Sequence, residues 1–386
     1  MRYRTFGRTG WKVSALGLGC MRMPNLGAPD DLDDPASIRL IRHAVDRGVN
    51  YLDSGYGYHG GRSEVVLGMA LADGYRQRVK LVTKMPTWLV KEARDFDRFL
   101  DEQLARLKTD HLDLYLLHAL DAKRWPAMRD LGVIEWAEKA MAAGRFERFG
   151  FSFHDEYEVF RDIVDGYAGW AAGMVMYNYL RADTQPGRTG VEYAAGKGLA
   201  VAVMEPVLGG SLASPPPAVA RIMDGGPVRR TPVDWALQWL WNQGEVSIVL
   251  SGMSTVAQVD ENVASADRSG PRALSADEVR LVESVAAAFK GLQPIPCTEC
   301  SYCMPCPNGV DIPFNLANYN SATMFNRLDQ VRNEYGQAKE KRKSTAGFCT
   351  DCGQCEPRCP QKIPISDWMP RIERELGAGA TKPTES

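Results

Sequence analysis

Two runs of regularly spaced cysteines towards the end of this chain constrain its fold more than any other feature. Together they contain eight of the nine cysteines in a sequence of 386 residues. Two residues separate neighbouring cysteines, except that three precede the last cysteine of the second run, and a proline follows each run. The runs are Cys297, Cys300, Cys303, Cys306 and Cys349, Cys352, Cys355, Cys359. Because this spacing gathers soft thiolate ligands, it predicts a small domain that folds around a metal centre.

The second run resembles the motif of bacterial two-cluster ferredoxins, in which thiolates hold 4Fe-4S clusters. In that motif the fourth cysteine of each run ligates the other cluster. The first run departs from the motif because it has one residue fewer before its last cysteine. The resemblance implies one cluster held by Cys297, Cys300, Cys303 and Cys359, and a second held by Cys349, Cys352, Cys355 and Cys306.

Zinc and disulfide bonds are the alternatives for these cysteines. A zinc site needs four ligands, and it gives no reason for a third regularly spaced cysteine or for the trailing proline. Disulfide bonds are typical of secreted chains, and no stretch of this sequence resembles a signal peptide. We therefore favour iron–sulfur clusters.

The remainder of the chain alternates short apolar runs with segments of helical periodicity. The apolar runs predict strands and the periodic segments predict helices. Eight such alternations predict a closed parallel (β/α)8 TIM barrel, which places the chain in the α/β class. The predicted strands cover 14–19, 49–52, 79–83, 112–117, 148–152, 173–179, 199–204 and 247–250.

The length of the chain allows more than the barrel. A TIM barrel takes about 250 residues, so we predict a barrel over 1–292 and a second domain after it. The segment 315–343 between the cysteine runs is polar and rich in helix formers. We therefore expect a small, mainly helical, two-cluster ferredoxin-like domain over 293–376, and a flexible tail over 377–386.

Charge and hydropathy exclude several classes of partner. The formal net charge is −2 and no basic stripe stands out, so the chain offers nucleic acid no electrostatic footprint. No apolar run is long enough to span a bilayer. We expect a cytoplasmic protein with neither nucleic acid nor membrane as a partner.

Chemically active side chains stand where three successive predicted strands end. Asp53 ends the second strand, Lys84 follows the third and His118 follows the fourth, while Tyr58 lies in the loop after Asp53. Adjacent strands are about 4.8 Å apart, so these side chains are expected to meet at one rim. An ammonium stabilises a nearby phenolate and lowers the pKa of the phenol. We thus predict Tyr58 as general acid and base for interconverting a carbonyl and an alcohol, with Asp53 orienting Lys84 and His118 bonding the substrate oxygen.

The order and spacing of these four residues resemble the Asp, Tyr, Lys and His tetrad of the aldo/keto reductase superfamily. The resemblance extends over roughly residues 1–290 and includes the segments 4–10, 16–19 and 62–64. It favours Tyr58 over the rival phenol Tyr56. It implies an oxidoreductase that acts on a small carbonyl or alcohol substrate with NADP(H) or NAD(H).

The resemblance also implies a cofactor that lies across the loops after strands seven and eight, with phosphates at a helix N-terminus. Taken alone, Cys20 would be interpreted as a small buried packing residue. The implied cofactor contacts are Cys20, Met21, Asp53, Ser152, Glu205, Pro206, Leu208, Gly210, Gly252, Met253, Ser254, Gln258, Glu261 and Asn262.

Four positions depart from the family pattern. Met174 replaces a glutamine that holds the nicotinamide amide, Met204 replaces a ring-stacking tyrosine, and Phe153 replaces an asparagine. Gln258 stands where many NADPH enzymes have an arginine for the 2′-phosphate. The choice between NADP and NAD therefore stays open, and a flavin is an alternative cofactor.

The two predicted domains differ in the number of electrons they handle. Nicotinamide transfers two electrons as hydride, whereas each cluster takes one. This difference in electron number would be resolved by a flavin in the barrel, by clusters that are only structural, or by a substrate that passes through a radical. The leading hypothesis is an aldo/keto-reductase-type enzyme whose clusters exchange electrons with a ferredoxin or other redox protein. The alternatives are a flavin-dependent enzyme on the same barrel and a non-catalytic, redox-sensing subunit that binds a partner.

Overall fold

A short antiparallel hairpin precedes a closed barrel of eight parallel strands in the computed structural model, which describes residues 1–28 and 30–378. Each barrel strand pairs with its neighbours in the sequence, and the last strand pairs with the first. The predicted (β/α)8 barrel is therefore confirmed. The strands are β1 (Tyr3–Thr5) and β2 (Lys12–Ser14) in the hairpin, then β3 (Leu16–Gly19), β4 (Tyr51–Asp53), β5 (Lys80–Met85), β6 (Leu112–Leu120), β7 (Phe146–Phe153), β8 (Ala172–Met176), β9 (Ala200–Met204) and β10 (Val246–Ser251).

Helices follow the barrel strands along the chain. Their ends carry local capping signals: the Asp33 carboxylate accepts the N–H of Ala36, and Thr255 accepts that of Gln258. Within the described residues, none of the helices has the length and apolar character to cross a membrane. In chain order they are α1 (Asp34–Asp46), α2 (Arg62–Ala70), α3 (Arg94–Leu107), α4 (Arg124–Asp130), α5 (Val133–Ala142), α6 (Tyr157–Gly166), α7 (Gly187–Gly196), α8 (Pro217–Asp224), α9 (Pro232–Trp241), α10 (Val256–Asp267) and α11 (Ala276–Gly291).

The interior of the barrel is a packed apolar core. Residues of the hairpin segment, Phe6, Trp11 and Val13, are buried in the same cluster as side chains from the strands. Burying each large apolar side chain contributes roughly 1.5–3 kcal/mol. The barrel is therefore filled at the hairpin end, which leaves the carboxyl ends of the strands as the place for a site.

The prediction for strand six was too long at its C-terminal end. β8 ends at Met176, whereas the apolar run continues to Tyr179. The side chain of Asn178 accepts the N–H groups of Leu180 and Arg181 and donates to the carbonyl of Glu205. These hydrogen bonds turn the chain out of the sheet, because a side-chain acceptor replaces the partner that a strand would supply.

The chain divides into two compact units. The first contains Met1–Ala213 and Pro227–Val282, and the second contains Ser214–Gly226 and the described residues from Glu283 onward. A single boundary near residue 292 does not anticipate that Ser214–Gly226 groups with the second unit.

The second unit is mainly helical, as predicted. Besides α8 and most of α11, it contains α12 (Ile312–Met324), α13 (Leu328–Arg342) and α14 (Ile365–Leu376). Side chains of α12, α13 and α14 and of the segments beside them form a small apolar core, to which most of the clustered cysteines pack. The tail predicted over 377–386 lies, from residue 379, outside the described residues.

Candidate active site

The strand ends bring three of the four predicted catalytic side chains to one rim of the barrel. β4 pairs with β5 and β5 with β6, so Asp53, Lys84 and His118 follow one another around the rim. The ammonium of Lys84 is 1% exposed and donates hydrogen bonds to Asp53 Oδ1 at 2.5 Å and to the carbonyl of Ser54 at 2.6 Å. Its third hydrogen bond goes to the phenol oxygen of Tyr58 at 3.2 Å. All three donors of the ammonium are therefore used.

The loop after β4 places Tyr58, and not Tyr56, against Lys84. The ring of Tyr58 lies over Gly55, where an added Cβ would come within 3.0–3.1 Å of the ring carbons. The ring meets His118 edge to face, with centroids 5.8 Å apart. The phenol of Tyr56 instead donates to the carboxylate of Glu102 at 3.1 Å. Only one of the two rival phenols can therefore exchange a proton beside Lys84.

The charges at the rim are coupled through burial. Burial lowers the pKa of Lys84, but Asp53 and Tyr58 raise it more, and the net pKa lies above its usual value. Burial raises the pKa of Asp53, and the nearby Lys84 only partly opposes this. The raised pKa of Lys84 indicates a strong ion pair with Asp53, whereas the raised pKa of Asp53 indicates a weak one. The 2.5 Å contact and the three satisfied ammonium bonds favour a charged Lys84 that faces a carboxylate.

The expected lowering of the Tyr58 pKa was wrong in its net direction. Burial raises the pKa of Tyr58, and it outweighs the lowering by Lys84, while Asp53 raises the pKa further. Desolvation disfavours the phenolate more than one already paired ammonium stabilises it. Tyr58 is therefore a neutral phenol in this state of the protein.

His118 is a neutral imidazole beside Tyr58. Burial lowers its pKa well below the usual value, and Lys84, His154 and Arg124 lower it further. Its Nδ1 is buried and lacks a hydrogen-bond partner among the described residues. The ring also packs against Trp88, with centroids 5.0 Å apart. A neutral ring in this position can donate or accept one hydrogen bond without adding charge to the site.

A buried polar network holds the backbone beneath Lys84. The amide of Gln103 donates to the carbonyl of Lys84 at 3.0 Å and to the carboxylate of Glu64, which is 0% exposed. Thr83 and Arg106 also donate to Glu64, at 2.6 and 3.2 Å. In the sequence, Glu64 is marked only by its place in the matching segment 62–64. The sequence does not reveal this network, because it forms only when helices α2 and α3 pack against β5.

The four side chains open onto a deep cleft at the carboxyl ends of the strands. The cleft encloses about 1690 Å³ of space, including its open mouth. Most of the predicted cofactor contacts line it: Met21, Asp53, Ser152, Glu205, Pro206, Gly210, Gly252, Met253, Ser254, Gln258, Glu261 and Asn262.

Two predicted cofactor contacts are corrected by the structure. Cys20 is fully buried behind the cleft, and burial raises the pKa of its thiol to about 12. Leu208 does not line the cleft, whereas its neighbours Val207 and Gly209 do. In both cases an adjacent residue lines the cleft instead, because the local turn decides which neighbour faces the cleft.

The four residues that depart from the family pattern do not all line the cleft. Met174 and Met204 line the cleft, whereas Phe153 is fully buried and packs against Phe160. The amide oxygen of Gln258 accepts the N–H of Ser254 at 2.7 Å, so this side chain shapes its own loop. The thioether side chains of Met174 and Met204 therefore form part of the cleft lining.

Several residues that line the cleft were not predicted from the sequence. They come from the loops after β3 and β9 and from α9, and no motif marks them: Arg22, Val207, Ala213 and Val233. Arg22 had a visible signal, because it is a cation two residues after Cys20 at the end of β3.

The clustered cysteines surround two cavities in the second unit. Cys297, Cys300, Cys303 and Cys359 line a cavity of about 310 Å³. Cys306, Cys349, Cys352 and Cys355 line another of about 440 Å³, which Cys303 also borders. The eight thiols are free, and the N–H of Glu299 donates to the sulfur of Cys297 at 3.4 Å. Two groups of four thiolates suit two cubes chemically, and the ligation itself stays a prediction.

Comparison with known proteins matches both parts of the chain. Residues 15–287 match a model described as the aldo/keto reductase family, and residues 296–363 match one described as a 4Fe-4S dicluster domain. L-galactose dehydrogenase of Arabidopsis thaliana is 25% identical over 75% of this chain and 95% of its own length.

Solved structures with the same barrel were also found. The holo form of an aldo-keto reductase from Bacillus halodurans is 25% identical with a TM-score of 0.61, over 74% of this chain and 96% of that chain. An aldo-keto reductase from Klebsiella pneumoniae in complex with NADPH has a TM-score of 0.60 at 23% identity, over 74% of this chain and 95% of that chain. The second likeness is one of fold.

Proposed function

Because this chain belongs to the aldo/keto reductase family and is an oxidoreductase with a 4Fe-4S domain, we propose that it interconverts a carbonyl and an alcohol at Tyr58. The observation that carries the proposal is the contact of the Lys84 ammonium with both Tyr58 and Asp53 at the edge of the cleft. A phenol, an ammonium and a carboxylate joined in this way form a proton donor with a fixed partner.

The raised pKa of Tyr58 supports a neutral phenol as its resting state. A neutral phenol donates its proton to the carbonyl oxygen as that oxygen gains charge during reduction. The Lys84 ammonium, held by Asp53, then stabilises the phenolate that remains. In the reverse direction the phenolate accepts the alcohol proton. The buried ammonium thus acts at the moment when charge develops, because before that moment the phenol is uncharged.

His118 is the proposed anchor of the substrate oxygen. Its low pKa keeps the ring uncharged beside Lys84, so it orients the carbonyl by hydrogen bonding without competing as a proton donor. Its edge-to-face contact with Tyr58 sets the two groups side by side. A carbonyl oxygen between them would receive one hydrogen bond from each.

We propose that a dinucleotide binds in the cleft. The loops after β9 and β10 carry Gly209, Gly210 and Gly252, and α10 begins directly after the second loop. Glycines permit close approach of phosphate to the backbone, and a helix N-terminus favours its charge. When bound, a nicotinamide dinucleotide, NADP(H) or NAD(H), supplies the hydride.

The second domain, which we place at about residues 293–376, is proposed to hold two 4Fe-4S clusters. The smaller cavity is lined by three thiols of the first run and by Cys359, and the larger by three thiols of the second run together with Cys306 and Cys303. Clusters of this kind transfer single electrons when bound. We propose a ferredoxin or another small redox protein as the partner that exchanges electrons with them.

A hydroxylated carbonyl compound is the proposed substrate class. His154 and Glu205 line the cleft and offer polar contacts beside the four catalytic side chains. One similar protein is named L-galactose dehydrogenase. Sugar aldehydes and sugar alcohols are therefore the first substrates to assay.

A flavin enzyme on the same barrel is the second candidate. The observation that favours it is the pair Met174 and Met204 in the cleft, where apolar, polarisable side chains suit a flat ring without offering it an amide. Absorbance and mass of the cofactor extracted from purified protein distinguish the two candidates. A non-catalytic sensor is disfavoured, because a complete and connected set of proton-transfer groups serves no purpose in it.

The test compares two phenol deletions in protein purified and reconstituted without oxygen. Tyr58→Phe is expected to lower turnover about 10²- to 10⁴-fold, the usual contribution of a general acid. Tyr56→Phe is the matched control, because it removes the same atom from a neighbouring tyrosine that contacts Glu102. Turnover that survives in Tyr58→Phe would contradict the assignment.

A further inference from the structure

The two predicted sets of cluster ligands in the second unit are alike in how far solvent reaches their thiols. In the set around the smaller cavity, Cys300 is exposed and the other three thiols are half-buried. In the set around the larger cavity, Cys352 is exposed and the other three are half-buried. The reduction potential of an iron–sulfur cluster depends on solvent exposure, on hydrogen bonds to sulfur and on nearby charge. Exposure therefore does not distinguish the two sites.

The charge of the lining does distinguish them. Arg358 lines the larger cavity, and among the described residues it is the one charged side chain in the lining of either cavity. It is exposed, and its guanidinium makes neither a hydrogen bond nor an ion pair within residues 1–28 and 30–378. The polar residues that line the smaller cavity besides the cysteines are neutral: Thr298, Ser301 and Gln361. A cation whose charge is not neutralised by the protein thus borders one site and not the other.

The remaining features near the thiols oppose this difference only weakly. The N–H of Glu299 donates to the sulfur of Cys297 at 3.4 Å, which favours reduction at the smaller cavity. This donor is neutral, and hydrogen bonds that involve an ionised group are roughly twice as strong as neutral ones. Four other charged residues stand within three positions of a cysteine in the sequence but line neither cavity: Glu299, Asp351, Glu356 and Lys362.

We propose that Arg358 raises the reduction potential of the cluster held at the larger cavity, so that the first electron to enter the second unit resides there. This inference rests on the proposed function, in which each cavity holds a 4Fe-4S cluster, and deepens it by assigning an order of reduction. Reduction adds one electron and makes the site more negative by one charge, which a nearby guanidinium stabilises. Water and salt screen an exposed arginine. We therefore expect about a tenfold effect on the equilibrium constant of reduction, which is 59 mV for one electron.

Stepwise reduction of the full-length protein tests this without turnover. The protein is reconstituted without oxygen and reduced with titanium(III) citrate, which supplies the electrons, while electron paramagnetic resonance follows the reduced clusters. The wild type should show two potentials. In Arg358→Gln the higher potential should fall by about the tenfold factor above and the lower one should not move. Arg358→Lys keeps the charge and should stay close to the wild type.

Two further variants make the assignment specific. Lys362→Gln is the matched control, because it removes an exposed cation near Cys359 that lines neither cavity, and it should leave both potentials unchanged. Cys359→Ser removes a thiol of the smaller cavity and should retain the step at the higher potential. Iron and sulfide counts on each variant establish how many clusters are present.

Three outcomes would overturn the inference. Unchanged potentials in Arg358→Gln with full iron content would remove the role of Arg358 and leave the two-cluster proposal standing. A fall of the lower potential in Arg358→Gln, or retention of the lower step in Cys359→Ser, would assign the first electron to the other site. A wild-type protein that takes up neither iron nor sulfide on reconstitution would remove both this inference and the cluster proposal.

Discussion

The two candidate redox centres of this chain are built on different kinds of backbone. In the barrel, Asp53 and Lys84 end neighbouring strands, and a buried network through Glu64 and Gln103 holds the second of them. In the second unit the thiols stand on loops and short turns, and Cys300 and Cys352 are exposed. The barrel site has its geometry before any ligand binds. The thiol groups lack such a framework, so we expect the metal to contribute to the folding of their loops.

The largest effect is expected from breaking the barrel site alone. Lys84→Met removes the ammonium that joins Asp53 and Tyr58, and it should lower turnover about 10²- to 10⁴-fold. Iron content should not change. Steady-state kinetics together with an iron assay measure both. Lys80→Met is the control, because Lys80 begins the same strand and pairs with Asp113 away from the cleft. An equal loss of turnover in Lys80→Met would show that any damage to β5 lowers activity, and would contradict a specific role for Lys84.

Breaking the other centre should leave the barrel intact. Cys359→Ser removes one of the four thiols around the smaller cavity, so a protein with two 4Fe-4S clusters should lose about half of its iron and sulfide. Dinucleotide binding should be unchanged. Iron and sulfide counts after anaerobic reconstitution give the answer. Cys20→Ala, which deletes the buried thiol of the barrel, should keep all of the iron; loss of iron there would contradict the proposed ligand sets.

The pH profile sharpens the comparison by testing the state of Tyr58. Its pKa is raised by burial, and reduction needs the protonated phenol, so kcat/KM for reduction should stay level through neutral pH and fall only above the ordinary tyrosine pKa of about 10. Oxidation needs the phenolate and should rise over the same range. A fall in reduction centred near pH 7 or 8 would mean that Lys84 outweighs burial after all.

The smallest effect is expected from the network beneath Lys84. Glu64→Gln keeps the shape but weakens the hydrogen bonds to Thr83, Gln103 and Arg106. We expect about 1–3 kcal/mol less stability for the barrel and a few-fold lower kcat. Thermal unfolding followed by circular dichroism reports the first, and kinetics the second. Glu102→Gln removes a more exposed carboxylate from the same Arg106 and should change stability by less than about 1 kcal/mol.

Much of the fold followed from patterns that are local in the sequence. Apolar runs and helical periodicity predicted the eight strands of the barrel, and three of the predicted strand ends carry catalytic candidates that line its rim. The end of β8 was missed because Asn178 turns the chain with its own side chain. The misplacement of Cys20 and Leu208 has a similar origin, since one turn decides which of two neighbours faces the cleft.

The sequence by itself determined which groups are present and in what order: a phenol, an ammonium, a carboxylate and an imidazole near strand ends, and eight thiols at ferredoxin-like spacing. These features depend only on residue order and spacing, which the covalent chain fixes without any tertiary contact. Only the tertiary structure decided how those groups are charged and which others join them. The pKa of Tyr58 depends on how much water surrounding elements exclude, and Arg22 reaches the cleft only because loops more than 180 residues apart in sequence meet around it.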